Sequence, residues 1–461
     1  MKFKKFGKAL LMSALSAGVV LSVTSCVQSY TVGYLYVTGT VTSESTGNGY
    51  VAGFKIDHNT GKLTPINGLN PPTSSGGANP VRAVLLNSSR FLYVLNQGAT
   101  ASGGSACTTA DPCQNSNITQ FAVGANGILT PLETFYTKGF NPFRMIADGS
   151  GTHLYVLEHD SPDNYLPAGT PAIANGCAQA LNEVQTCGDI TAFSIDANTG
   201  RLSLVQNAQV KTTTTANGTQ NLAYFPVPVN SIDFVSTGSY ILTLNGTPAT
   251  GDTVFPYAYN STNGQLTVTL SSSDSIGAVY QATAIVSAGG YIWVLDNEPI
   301  SVTVNGSTIT SPSQILPWTT GSNGSLTALS SGPIANDPNQ SNPIYLVAES
   351  KGKWFYVANQ GDLNNKTLPL SGITGYVENN PFLPSEMSDS PFGTGAGPQC
   401  LVEDPSNQFF YTANYDAQTV SGLMLDEVAG VLNPLSQQSK APSSYALTGP
   451  PTWCLVDGRT D

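Results

Sequence analysis

Arg82 and Arg144 stand in matching phrases of a chain that contains only five arginines. Arg82 follows Asn79-Pro80-Val81, and Arg144 follows Asn141-Pro142-Phe143. Aligned with them are Asn230, Gln281, Tyr345, Cys400 and Cys454 in five further segments. A guanidinium forks onto a carboxylate or phosphate, and amide and phenol groups bond sugar hydroxyls. The aligned positions read as a ring that binds an acid, a phosphate or a sugar, with Arg82, Arg144, Asn230, Gln281 and Tyr345 as ligand contacts. Water and backbone groups in a wet channel would satisfy the same side chains, and both readings stand at this level.

Hydrolysis would also need an acid–base group. The candidates are Glu158, His159 and Asp296, acting with Arg82 and Arg144. Glu158-His159-Asp160 is a triplet of metal-ligand types, but neighbours in an extended chain alternate sides. His58 reads as a solvated turn residue and His153 as a surface residue. No Gly-x-Ser-x-Gly elbow occurs. Gly393-Thr394-Gly395-Ala396-Gly397 lacks the flanking strand and helix of a nucleotide fingerprint. No metal and no cofactor are implied.

The elements that carry these residues come from a repeated phrase. An apolar run such as Val81–Leu86 is followed by an aromatic one such as Phe91-Leu92-Tyr93-Val94-Leu95-Asn96. The aromatic anchors are Tyr36, Tyr93, Tyr155, Leu242, Trp293, Tyr356 and Tyr411. A hairpin follows, clearest in Phe54–Leu63 and Phe193–Leu202, which share Asn-Thr-Gly at the turn. Each unit reads as four short strands, and units repeated about an axis make a β-propeller. The first unit lacks a first strand, and the last segment, Pro451–Asp457, lacks a second. The fold class predicted is all-β: a seven-bladed propeller of four-stranded blades, closed by the C-terminal strand in the N-terminal blade.

Propeller connections alternate between two faces. Here one face has short turns, and the other carries the long connections 97–116, 158–188, 206–226, 297–312 and 361–370. Binding functions concentrate on elaborated loops of a rigid scaffold, so the long-loop face is the expected functional face. Two cysteine pairs, Cys107 with Cys113 and Cys177 with Cys187, fall in those loops. Cys400 and Cys454 sit in matching Cys-Leu-Val triplets. An exported chain with an even set of cysteines suits disulfides. The pairing of Cys400 with Cys454 stays open, because neighbouring inner strands can lie too far apart.

Residues 1–25 read as a targeting segment, with Lys2, Lys4, Lys5 and Lys8 before the apolar run Ala9–Leu21. Val23-Thr24-Ser25-Cys26 resembles a bacterial lipobox, which implies lipidation of Cys26. The expected layout is a signal peptide (1–25), an anchored linker (26–32) and one propeller (33–461). Removing residues 1–25 leaves 13 basic against 29 acidic side chains. That balance offers no footprint for nucleic acid. The expected partners are the membrane through Cys26 and either a small molecule or an envelope protein. The expected state is a monomer on the outer membrane or periplasmic face of a cell envelope.

Leu35-Tyr36-Val37-Thr38-Gly39, Phe355-Tyr356-Val357-Ala358-Asn359 and the Asn-Thr-Gly-Lys/Arg-Leu hairpins resemble the lactonase-like seven-bladed propellers. That family includes propeller-type 6-phosphogluconolactonases, carboxymuconate cyclases and YVTN-repeat relatives. The resemblance spans nearly all of residues 30–461. It implies a lactone hydrolase or cyclase acting at the central channel. Arg82 and Arg144 match the family's Pro-Arg phrases. The family's phosphogluconolactonases also carry inner-strand histidines, and Val227-Pro228-Val229-Asn230, Tyr280-Gln281-Ala282 and Pro343-Ile344-Tyr345 have none. Three functions follow: an envelope propeller that binds a ligand or partner on its long-loop face, a lactone hydrolase or cyclase, and a scaffold of an envelope complex.

Overall fold

A computed structural model describes residues 29–41, 48–86, 88, 90–100, 113–161, 188–209, 221–227, 231–246, 251–269, 274–277, 279–304, 306–362, 371–378 and 384–458. Seven antiparallel sheets form the blades of a ring. In blade 2 the strands are Pro80–Leu85, Phe91–Asn96, Asn117–Val123 and Leu129–Tyr136, paired in that order. In the other six blades the outermost strand is split, and both pieces pair with the third strand.

The ring closes as the unmatched ends require. Pro451–Asp457 pairs antiparallel with Thr31–Thr40 and supplies the innermost strand of blade 1. Thr31–Thr40 is thereby paired on both sides, whereas an unpaired edge there would invite pairing with another molecule. Cys400, on the innermost segment of blade 7, is disulfide-bonded to Cys454 with Cα atoms 5.8 Å apart. The ring therefore closes both by a strand ladder and by a covalent link across the next seam.

The core follows from stacking sheet on sheet. Phe91–Asn96 and Trp354–Asn359 are buried along their whole length, because each second strand has a blade on either side. Seven apolar clusters lie between the blades, one per seam among the described residues. One joins Tyr36 and Val51 of blade 1 to Leu92, Val94 and Phe121 of blade 2. Burying a ring or branched side chain this fully is worth about 2 kcal/mol.

The aromatic anchors also latch the blades. Tyr36 donates its hydroxyl to the carbonyl of Gly127 at 2.8 Å, in the outer hairpin of the next blade. Tyr93 does the same to Gly200, Tyr155 to Gly264, Tyr356 to Gly430 and Tyr411 to Gly61. The accepting glycines all have positive φ, from 66° to 78°. That backbone turns the carbonyl toward the neighbouring blade, and glycine adopts it at little cost. His153 belongs to this machinery rather than to the surface: it is 3% exposed. Its ring lies beneath Gly264, and its backbone N–H donates to Asp148.

Two further features depart from the sequence reading. The connection 297–312 is not plain loop but carries a hairpin, Ile300–Val304 with Ser307–Ser311, faced by the Ser301–Thr310 hydroxyl pair. The first residues of the fold also lie slightly earlier than expected, at Thr31.

Candidate functional site

Six of the inner strands carry a bulge near their start, which decides what the channel mouth presents. The ladder skips one residue between Pro80 and Arg82, Pro142 and Arg144, Ser231 and Asp233, Ala282 and Ala284, and Pro343 and Tyr345. A bulge turns the following side chain to a new direction. The equivalent positions are thus Arg82, Arg144, Asp233, Ala284 and Tyr345, each opposite the residue before the end of its second strand. Asp233 replaces Asn230 in the ring expected from the sequence, and Ala284 replaces Gln281. In the closing strand Trp453, not Cys454, takes the position, opposite Thr38. Asn230 itself lies outside the described residues. Gln281 is drawn away from the channel, donating from Nε2 to Glu298 at 2.6 Å.

The two arginines differ in state. Arg144 Nε donates to Asp233 Oδ1 at 3.0 Å, and its NH1 group donates to the Phe143 carbonyl. Asp233 Oδ2 accepts from the Ile285 backbone, so this carboxylate ties blades 3, 4 and 5 together. Arg82 lies over the Trp453 indole, 3.6 Å from the ring centroid, as a cation–π pair. Its guanidinium has no hydrogen-bond or carboxylate partner among the described residues. Protein surrounds it while solvent still reaches it, the situation of a group lining a narrow wet channel. Loss of hydration, and then the charge of Arg144, lower its pKa to about 9, which leaves it protonated at neutral pH. Tyr345 packs edge-on against the other side of this cluster, 5.1 Å from Trp453. Burial raises its pKa, and its neutral hydroxyl is also unpartnered among the described residues.

His159 stands beside this mouth. Its ring stacks on Phe143 at 3.7 Å, nearly parallel. Burial, helped by Arg144 and opposed by Asp160, lowers its pKa to about 4. The imidazole is therefore neutral at pH 7.

Glu158 and Asp296 occupy a different layer. At one matching position, at or near the end of the second strand, blades 2 to 7 carry Asn96, Glu158, Asn245, Asp296, Asn359 and Asn414, all buried. Asn96 shows the pattern: its Nδ2 donates to Asn117 Oδ1 at 3.0 Å and to Thr119 Oγ1. In blade 3 the same places hold Glu158, Asp189 and Thr191. Thr191 and the Gly139 N–H donate to Glu158 Oε2. Glu158 and Asp189 face each other across the ladder, both buried. Burial raises both, and Glu158's charge further raises Asp189. In blade 5 Asp296 accepts from Gln314 Nε2 at 2.7 Å, and burial lifts its pKa to about 6. Both carboxyls thus hold strands together, one layer away from Arg82.

Among the cysteines, Cys400 and Cys454 form the disulfide already described. Cys113 is disulfide-bonded to a residue outside the described ones. Cys26, Cys107, Cys177 and Cys187 also lie outside the described residues. Within the described residues no three His, Cys, Asp or Glu side chains converge to hold a metal ion.

Asp233, Trp453 and Phe143 were absent from the sequence-level site. An aligned acidic residue three positions after Asn230 was visible, but its register was not, because the bulge shifts the ladder without marking the sequence.

Fold and mouth together define a seven-bladed β-propeller with a cationic, aromatic-walled channel entrance. Its fold is that of the lactonase-like propellers. A provisionally assigned 6-phosphogluconolactonase from Bacteroides uniformis superimposes with a TM-score of 0.61 at 15% identity, covering 92% of this chain and 99% of that one. A second provisionally assigned 6-phosphogluconolactonase, from Bacteroides fragilis, gives 0.59 at 14% identity, over 92% and 98%. A periplasmic gluconolactonase from Pseudomonas aeruginosa gives 0.60 at 17% identity, over 92% and 99%. No family model and no curated protein sequence matches the chain.

Proposed function

We propose that the channel mouth binds a small organic anion of the sugar-acid type, held by Arg82 and Tyr345 over the Trp453 ring. The observation that carries this reading is the Arg82 guanidinium, surrounded by protein yet without a carboxylate partner. The Trp453 face and the more distant Asp233 charge offset the lost hydration of this cation only in part, and an incoming carboxylate or phosphate supplies the hydrogen bonds it lacks. Trp453, stacked on Arg82, holds the guanidinium plane in place for a forked contact with the anion. Titration calorimetry with gluconate and 6-phosphogluconate tests the proposal. Binding that Arg82→Gln abolishes supports it. Equal binding by wild type and Arg82→Gln refutes it.

A second reading, hydrolysis of the corresponding lactone, draws on one observation of its own. The neutral imidazole of His159 is available as a base beside Arg144, and a base next to a cation is what activating water against a lactone carbonyl requires. The fold shared with a periplasmic gluconolactonase adds support. Acid release from gluconolactone above the uncatalysed rate, lost in His159→Ala, is the test.

The same reading puts the protein on the cell envelope, anchored through a lipid on Cys26. The support is the Val23-Thr24-Ser25-Cys26 sequence behind a basic, then apolar, leader. Membrane association that survives Cys26→Ser would overturn it.

A further inference from the structure

We infer a second binding site, for a neutral carbohydrate, in a groove on the short-turn face between blades 4 and 5. The groove has a volume of about 660 Å³ and is lined by strand ends and turns of both blades, with no charged side chain in its walls. It lies at the opposite end of the inner strands from Arg82.

Its origin is a break in the tyrosine latches. Five anchors are tyrosines that bond a glycine carbonyl of the next blade, but the anchor of blade 4 is Leu242. No hydroxyl from that position can reach Gly324. Instead Tyr240, two residues closer to the turn, donates to the Ser322 carbonyl. The next anchor, Trp293, bonds within its own blade, to Ala288. Tyr240, Thr269 and Asp274 bond across the seam beyond its apolar cluster, and the space between the turns stays open. A Cβ added to Gly290 on the groove wall would meet nothing within 4 Å.

The lining chemistry selects the ligand class. Tyr240 and Tyr291 stand on the blade 4 and blade 5 sides. The side-chain hydroxyls of Ser239, Ser287, Thr320 and Ser322, and that of Tyr291, have no partner among the described residues. Aromatic faces with dispersed, unspent hydroxyls suit a ligand of C–H faces and hydroxyl edges. An anion finds no cation here. An extended peptide would need unpaired strand edges, and the strand ends that line the groove are already paired within their blades. The volume falls within the range of small-ligand clefts, roughly 300–1,000 Å³.

The test uses the mature protein and neutral trisaccharides of glucose, xylose, mannose and N-acetylglucosamine, read by saturation-transfer NMR and calorimetry. At least one trisaccharide binds with a Kd of about 1 mM or tighter. Tyr291→Ala and Ser287→Trp each weaken it at least about tenfold, while thermal unfolding shows both variants folded. Arg82→Gln leaves it unchanged, which separates this site from the channel mouth. The inference is overturned if no trisaccharide binds at about 10 mM. Binding indifferent to both groove variants overturns it too, as does displacement of the sugar by a neutral extended peptide.

Discussion

Arg82 and Trp453 lie 371 residues apart in the chain, yet the guanidinium carbon of one rests 3.6 Å from the ring centroid of the other. They meet because the last strand of the chain completes the first blade, next to blade 2. Ring closure and the channel site are therefore one structural event. Trp453 also adjoins Cys454, so the disulfide to Cys400 steadies the platform beneath Arg82.

The first prediction concerns this pair. Arg82→Lys keeps the charge but loses the planar, stacked fork. Affinity for gluconate should fall by about tenfold in Arg82→Lys, and beyond detection in Arg82→Gln. Calorimetry at low and high salt checks both.

The second concerns the disulfide. Replacing Cys400 and Cys454 together by alanine frees a loop with a sequence separation of 54. The chain-entropy model gives a loss of about 4 kcal/mol. Denaturant unfolding of the double variant beside the oxidised wild type measures it, and an unchanged midpoint would contradict the closure role.

The third concerns the latches. Tyr93→Phe removes a buried hydroxyl that bonds Gly200 at 2.5 Å. The expected cost is about 1 kcal/mol or slightly more, since the Gly200 carbonyl loses its donor. Leu242→Phe, at the seam without an anchor hydroxyl, removes no such bond and serves as the comparison.

The fourth concerns pH. Burial raises Glu158 and Asp189 above the ordinary carboxylate range, and raises Asp296 to about 6. A raised carboxyl stabilises the fold fully below its unfolded pKa, near 4, and loses that contribution as pH rises through its folded pKa. These groups therefore favour the fold at pH 4 over pH 8. Asp148 works the other way: despite its burial, hydrogen bonds led by that from His153 hold its pKa well below the usual range. Its contribution is present at neutral pH and declines only in stronger acid. Glu158→Gln installs the amide that blade 2 uses at this position. It should raise the melting temperature at pH 8 by about 2 °C and flatten the pH profile above pH 5. A melting curve series from pH 4 to pH 9 decides it.

Much of the architecture was legible in the chain. The aromatic anchors, the Asn-Thr-Gly hairpins and the unmatched terminal strands define seven blades and their closure, because they encode alternation and turn geometry locally. Arg82, Arg144 and Tyr345 were found the same way, as residues in equivalent phrases. Gln281 and Cys454 fall outside the ring because a bulge has no sequence signature of its own. Glu158 and Asp296 looked catalytic because a carboxyl in an asparagine position is conspicuous in sequence. Only the paired strand shows that Asp189 or Gln314 faces each of them.

The sequence by itself determined what recurs: strand order, turn type, seven blades and the strand that closes them. Tertiary structure decided what pairs across seams. It seated Arg82 on Trp453, paired Arg144 with Asp233, joined Cys400 to Cys454 and left a groove between the turns of blades 4 and 5. Periodicity is a property of neighbours along the chain. Whether a cation keeps its charge unpaired depends on which blade the ring brings against it.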